Sequence, residues 1–241
     1  MSVLVIILVA VAGATATTST ATTSPNQLTA NEKKQGWRLL FDGKTTAGWR
    51  GFKKTDFPTA RWEVKDGALH LRPTGTGDSH GAGDIVTTDT FSDFDLVWEW
   101  RISPGGNSGV KYFVTEEREG PIAQEYQVLD DARHPDAKIG PHRQTAAFYD
   151  VLPPAADKPL RPVGEWNLSR VVVSGNHVEH WLNGAKVLAY DLGSPETRAA
   201  IAKSKFKDVA GFGTKIPGRI LLQDHGDEVS FRSIRILTPA P

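Results

Sequence analysis

The stretch FDLVWEWRI, residues 94–102, decides the fold. Phe94, Leu96, Trp98, Trp100 and Ile102 alternate with Asp95, Val97, Glu99 and Arg101, so the apolar positions recur every second residue. That period places all five on one side of an extended chain, where a helix would need a spacing of three to four. One face is therefore core. The other presents Glu99 and Arg101, as a cross-strand ion pair or as the floor of a polar cleft. Residues 105–109 (GGNSG) turn the chain into 110–114, which is expected to set Lys111 beside that same polar face.

Working outward, the chain keeps to short strands and turns. Segments 62–64 and 68–71 flank Lys65-Asp66-Gly67, and segments 176–183 and 186–190 meet at Asn183-Gly184. Asp-Gly and Asn-Gly between apolar runs are strong hairpin signals, because both central residues of the tight turn need positive φ. Residues 37–41, 146–151, 166–174, 219–223 and 230–237 read as further extended segments. One helix is expected over 195–206, about three turns, with Ser194 as N-cap, Pro195 at its first position and Glu196 in its first turn. Many strands, one helix and no βαβ alternation predict an antiparallel β-sandwich. The loop 75–83 carries four glycines and His80 but lacks the strand–GxxxxGK–helix context of a phosphate cradle.

Composition limits the function. Twenty-eight basic residues balance 28 acidic ones, which argues against a general nucleic-acid or anionic-membrane binder. The chain has no cysteine, which excludes disulfides, thiolate metal sites and a cysteine nucleophile. Residues 2–11 are apolar but too short to span a bilayer, and Ala14-Thr15-Ala16 fits a small-x-small cleavage site. The expected organisation is a signal peptide over 1–16, a Thr/Ser-rich disordered tether over 17–30 and one domain over 31–241. The mature protein would be periplasmic or extracellular, with no stable membrane insertion.

Candidate chemistry gathers between Gly120 and His142, GPIAQEYQVLDDARHPDAKIGPH. In the strand 123–129, Glu125 and Gln127 share one face and Tyr126 and Val128 the other. Glu125 reads as a general base or proton shuttle, or as a structural carboxylate paired with Arg101 or Lys111. His225, at a strand end in Gln223-Asp224-His225-Gly226, is the next candidate, histidine being the side chain whose ordinary titration range lies closest to neutral pH. His134 shares its loop with Asp130 and Asp131, where it could bind substrate or a divalent cation such as Mg, Mn or Zn. Asn107, Gln127, Tyr149 and Gln223 are candidates for hydrogen bonds to a substrate. Trp49 and Trp166 read as core or as stacking platforms, and His177 and His180, on opposite strand faces, as structural.

Eight segments in order carry a family resemblance: GWRLLFDGKTTAGW (36–49), WEVKDGAL (62–69), GGNSGV (105–110), EYQVLDDARHPDA (125–137), GEWN (164–167), LNG (182–184), LLQDHG (221–226) and FRSIRI (231–236). Together they resemble the 3-keto-disaccharide hydrolase domain family from about Gly36 to Leu237. The resemblance implies a concanavalin A-like jelly-roll of two antiparallel sheets, an exported protein, and cleavage of glycosides whose glucose unit is oxidised at C3. A ketone at C3 acidifies C2–H, so a base can form an enolate that expels the group on C1, and water then completes a net hydrolysis. On this reading Glu125, His225 and His134 are catalytic. Asn107, Lys111, Gln127, Asp130, Tyr149, Gln223, Glu99 and Arg101 bind substrate. No nucleotide fingerprint is present, so the ketone would come from a partner sugar 3-dehydrogenase. Two other readings remain open: a lectin-like carbohydrate-binding module, and a conventional glycosidase with paired carboxylates. The spacing from Glu125 to Asp130 resembles the E-x-D-x-x-E strand of sandwich-fold glucanases, but residues five apart point to opposite faces.

Overall fold

The computed structural model describes residues 24–75 and 83–239. The expected signal peptide and the run 76–82, with His80, lie outside the described residues. The chain begins with helix α1 (Ala30–Gln35) and the short strands β1 (Arg38–Leu39) and β2 (Trp49–Gly51). The hairpin β3 (Trp62–Lys65) and β4 (Ala68–Leu71) follows, then β5 (Ile85–Thr87), β6 (Phe94–Ile102), β7 (Asn107–Val114) and β8 (Gln124–Leu129). After two 3-10 turns come β9 (Asn167–Ser174), β10 (His177–Leu182), β11 (Ala185–Asp191), helix α2 (Pro195–Ile201), β12 (Arg219–Leu222) and β13 (Val229–Leu237).

The strands form two antiparallel sheets. The larger runs β11-β10-β9-β6-β13-β4-β3 with β1 beside β13, and the smaller runs β2-β5-β12-β7-β8. This is the all-β sandwich that the period-two pattern predicts, with β6 in mid-sheet between β9 and β13. Its apolar side is the core: Trp98, Trp100, Leu96 and Phe94 are buried, facing Tyr112, Tyr126 and Phe148. Both predicted hairpins form, with positive φ at Asp66 and Gly67 and at Asn183 and Gly184.

A directional chain of hydrogen bonds ties the two sheets together. Trp100 Nε1 donates to Ser169 Oγ (2.8 Å), which donates to the Tyr126 hydroxyl (2.8 Å), which donates to the carbonyl of Trp181 (3.1 Å). Buried polar groups persist only when satisfied in this way. Pinning Tyr126 inward fixes the neighbouring Glu125 and Gln127 outward, so core chemistry sets the orientation of the polar face.

A second buried network carries a pH signature. His180 Nδ1 donates to the Ala146 carbonyl (3.0 Å), which leaves Nε2 to accept from the Tyr112 hydroxyl (2.9 Å), itself bonded to Tyr190. Burial lowers the His180 pKa to about 4, so the ring stays neutral when folded. The unfolded chain binds its proton near 6.5 and the folded one near 4, so stability rises with pH across that window. Urea unfolding at pH 4 and 7 should therefore show wild type losing about 3 kcal/mol more than His180→Gln on acidification. Equal losses would show that the imidazole carries no such penalty.

The structure corrects four expectations. Helix α2 ends at Ile201 rather than continuing to 206. There the Ser204 hydroxyl donates to the Ile201 carbonyl and accepts from Phe206 N–H, giving the backbone a non-helical alternative. Residues 146–151 are turns with isolated bridges at Phe148, and Ala146 and Asp150 adopt positive φ. The expected tether over 17–30 does not reach its predicted end. Asn26 donates to Gly67 O and accepts from Ser233 N–H, and Thr29 caps α1 in a capping box with Glu32. Lys111 does not lie beside Glu99 and Arg101. Strand β6 pairs with β9 and β13 in the large sheet, whereas β7 crosses to the small sheet between β12 and β8. Among the described residues no helix is long and apolar enough to cross a membrane.

Candidate active site

The outer face of the small sheet carries a cavity of about 400 Å³, within the range of small-ligand sites. Strand alternation builds its floor. Asn107, Gly109 and Lys111 on β7 face the same way as Glu125 and Gln127 on β8, and the register sets Lys111 opposite Glu125 and Gly109 opposite Gln127. Gln223 and His225 follow β12 at one wall, and Gln223 N–H donates to the Gly109 carbonyl. Residues 121–123 form a second wall, and Tyr149, Lys205, Phe206 and Val209 close the cavity.

Glu125 is 4 % exposed, and its carboxylate lies across Gly109. A Cβ on Gly109 would fall 2.1 Å from Glu125 Oε1, so glycine is what leaves room for the acid. Lys111 Nζ stands 3.7 Å from Glu125 Oε2 and donates to the Pro121 carbonyl (3.1 Å). Burial pushes the Glu125 pKa above its ordinary value, and Lys111 pulls it part of the way back. A carboxyl whose pKa is raised is a stronger base once ionised, and so is suited to taking up and passing on a proton. Buried Asp84, within electrostatic reach of Glu125 and Lys111, accepts from Asp224 N–H (2.7 Å), and burial raises its pKa to about 7.

The structure brings Glu125, His225, Asn107, Lys111, Gln127, Tyr149 and Gln223 to this one cavity. His134 lies at its edge, its ring centroid 6.1 Å from that of His225. Three expected substrate contacts are elsewhere. Glu99 and Arg101 sit on the outer face of the large sheet, where Glu99 accepts from Arg232 and Arg101 covers Trp166 at 4.9 Å. Trp166, also under Arg232, is neither core nor cavity lining. Trp49 is core. Asp130 is a structural end-stop for β8: burial raises its pKa, but hydrogen bonds from Gly105 N–H, Arg133 and Ala132 N–H outweigh that and hold it low. Glu125 is paired with Lys111 and not with Arg101.

Several functional candidates gave no sequence signal. Lys205 donates to the Tyr149 hydroxyl (3.0 Å) and sits 4.2 Å over that ring. It is placed by its own backbone N–H, bonded to Asp150, in the turn where α2 breaks off. Asp227 accepts from Asn107 N–H (3.0 Å) and joins His134 and His225 in a group whose ligand atoms all lie within 4.8 Å of one another. The acids expected beside His134 as ligands do not join it: Asp131 bonds Thr145 N–H and Lys158 instead.

Comparison with known proteins bears on the family and the fold. Residues 36–237 match the model of the 3-keto-alpha-glucoside-1,2-lyase-like domain. A 3-keto-disaccharide hydrolase of Bacteroides thetaiotaomicron is 38% identical, covering 83% of this chain and 78% of that protein. A solved structure of a candidate glycosyl hydrolase from Parabacteroides distasonis superposes with a TM-score of 0.79 at 33% identity, over 88% of this chain and 98% of its own. A second from the same organism gives 0.61 at 26% identity, over 84% and 98%.

Proposed function

The chain belongs to the 3-keto-alpha-glucoside-1,2-lyase-like domain family, and from that premise we propose that it is a glycoside hydrolase acting on 3-keto-glucosides and 3-keto-disaccharides by elimination followed by hydration. One observation carries the reading: a buried carboxylate laid across Gly109, beside an ammonium, in a cavity of sugar-binding size. In the proposed route Glu125 removes the proton from C2, the C1–O bond breaks, and the aglycone oxygen leaves with a proton drawn from solvent, to which Glu125 gives up the one it removed. A C1=C2 double bond remains, conjugated with the C3 ketone. Water then adds its oxygen to C1, Glu125 takes up the proton that this water releases and passes it to C2, and the net result is hydrolysis with a solvent-derived hydrogen at C2.

The surrounding groups suit that route. Negative charge develops on the C3 oxygen as C2–H is lost, and Lys111, Lys205 and His225 are the cavity groups able to meet it. Among the described residues lining the cavity, Glu125 is the one carboxylate. A conventional glycosidase needs two, about 5–10 Å apart across the scissile bond, so that alternative is disfavoured. A carbohydrate-binding module would favour a shallow aromatic platform, and here the cavity centre is a buried acid with a raised pKa. The ketone must be supplied by a sugar 3-dehydrogenase class of enzyme, and the apolar N-terminal run with its small-residue site supports export.

The test is cleavage of a 3-keto-glucoside and its unoxidised parent in D₂O, followed by NMR. The expected result is turnover of the keto sugar alone, with solvent deuterium at C2 of the released 3-ketoglucose beyond that in an enzyme-free control. Cleavage with C2–H retained would overturn the eliminative route. Binding without turnover of either sugar would overturn the enzyme.

A further inference from the structure

His134, His225 and Asp227 come from two loops that meet at the edge of the Glu125 cavity: His134 follows β8, and His225 and Asp227 lie between β12 and β13. We infer that these three side chains form a binding site for a first-row divalent transition cation, with its open positions facing the cavity. One donor atom from each lies within 4.8 Å of the other two, so a point exists no more than about 2.8 Å from all three. Metal–nitrogen and metal–carboxylate bonds are about 2.0–2.2 Å, and side-chain shifts of less than about 1 Å close that gap.

Independent features support it. Among the described residues, His225 Nδ1 is buried and has no hydrogen-bond partner, an arrangement that native structures avoid unless a ligand completes it. Asn107 is 5 % exposed, lines the same cavity, and its Oδ1 is likewise unpartnered among the described residues. The Asp227 carboxylate is oriented by the Asn107 backbone N–H, the kind of outer contact that fixes a ligand's direction. His134 Nδ1 accepts from Asp136 N–H at 3.1 Å. Ligation through Nε2 releases that one long bond to a half-buried ring, a small change against three metal–ligand bonds. Two imidazoles and one carboxylate select zinc, manganese or iron over magnesium and calcium, which prefer all-oxygen sites.

The binding claim is independent of substrate, whereas the cation's role rests on the function proposed above. Next to Glu125 it would polarise the C3 carbonyl and hold the enolate oxygen. The experiment strips the full-length protein with a chelator and titrates it with Zn²⁺, Mn²⁺ and Mg²⁺ by calorimetry, with Co²⁺ absorption as a spectroscopic probe. The expected result is one Zn²⁺ or Mn²⁺ per chain and far weaker Mg²⁺. Affinity should fall at least 100-fold in His225→Ala and in Asp227→Asn, which keeps the acceptor for Asn107, and should be unchanged in His177→Ala. Circular dichroism confirms that each variant is folded. Absence of stoichiometric binding, or binding unchanged in both variants, overturns the site. Binding without turnover of keto sugars would leave the site standing and remove the function, and turnover in fully stripped protein would do the reverse for the cation's role.

Discussion

Glu125→Gln should lower turnover of a 3-keto-glucoside by about 10²–10⁴-fold, the range that a positioned general base contributes. The amide keeps the size and the place of the acid beside Lys111 but cannot accept the C2 proton. The same substitution should melt no lower than wild type. A buried carboxyl whose pKa is raised by burial costs the fold free energy when ionised, and a neutral amide removes that cost. Loss of activity with retained stability separates a working acid from a structural one. The pH profile makes a second cut. Catalysis needs the ionised form, so the acid limb of kcat/KM should lie above the ordinary 4.5 of glutamate. Lys111 favours the ionised form, so Lys111→Met should move that limb further up in pH. A limb at the ordinary value, or one that Lys111→Met leaves in place, would remove Glu125 from the proton transfer.

Much of this site was legible because side chains alternate along a strand. Glu125 and Gln127 on one face, Tyr126 and Val128 on the other, follow from the period alone, and the structure sets that polar pair in the cavity and the apolar pair in the core. Alternation says which way a side chain faces, not which sheet it belongs to. Glu99, Arg101 and Lys111 were expected together because β6 and β7 are consecutive, and consecutive strands are usually neighbours. Here the turn at 103–106 carries the chain from one sheet to the other, and the three residues end on opposite outer faces of the sandwich. Lys205 and Asp227 were invisible for a different reason. Each lies in a turn with no periodicity, and each is placed by long-range bonds, Lys205 by Asp150 and Asp227 by Asn107. Asp130 misled because an acid in an acid-rich loop looks available, whereas its oxygens are occupied by the backbone of Gly105 and Ala132.

Gly109→Ala should cost about 10²-fold in kcat while leaving the fold intact. Gly109 is not in a left-handed conformation, so its backbone tolerates a side chain; what the methyl meets is Glu125, with Oε1 at 2.1 Å and Cδ at 2.8 Å. The carboxylate must retreat by about 1 Å, a misplacement that in a preorganised site is worth roughly two orders of magnitude. The displaced atoms are the free end of a flexible side chain and not backbone, so the thermal midpoint should move by only a few degrees. The pattern to look for is a kcat loss far larger than any change in KM, because other cavity-lining groups such as Asn107 and Gln223 stay where they are. Full activity in Gly109→Ala would mean that the carboxylate works from some other position, and the geometry that ties Glu125 to the reaction would fall with it.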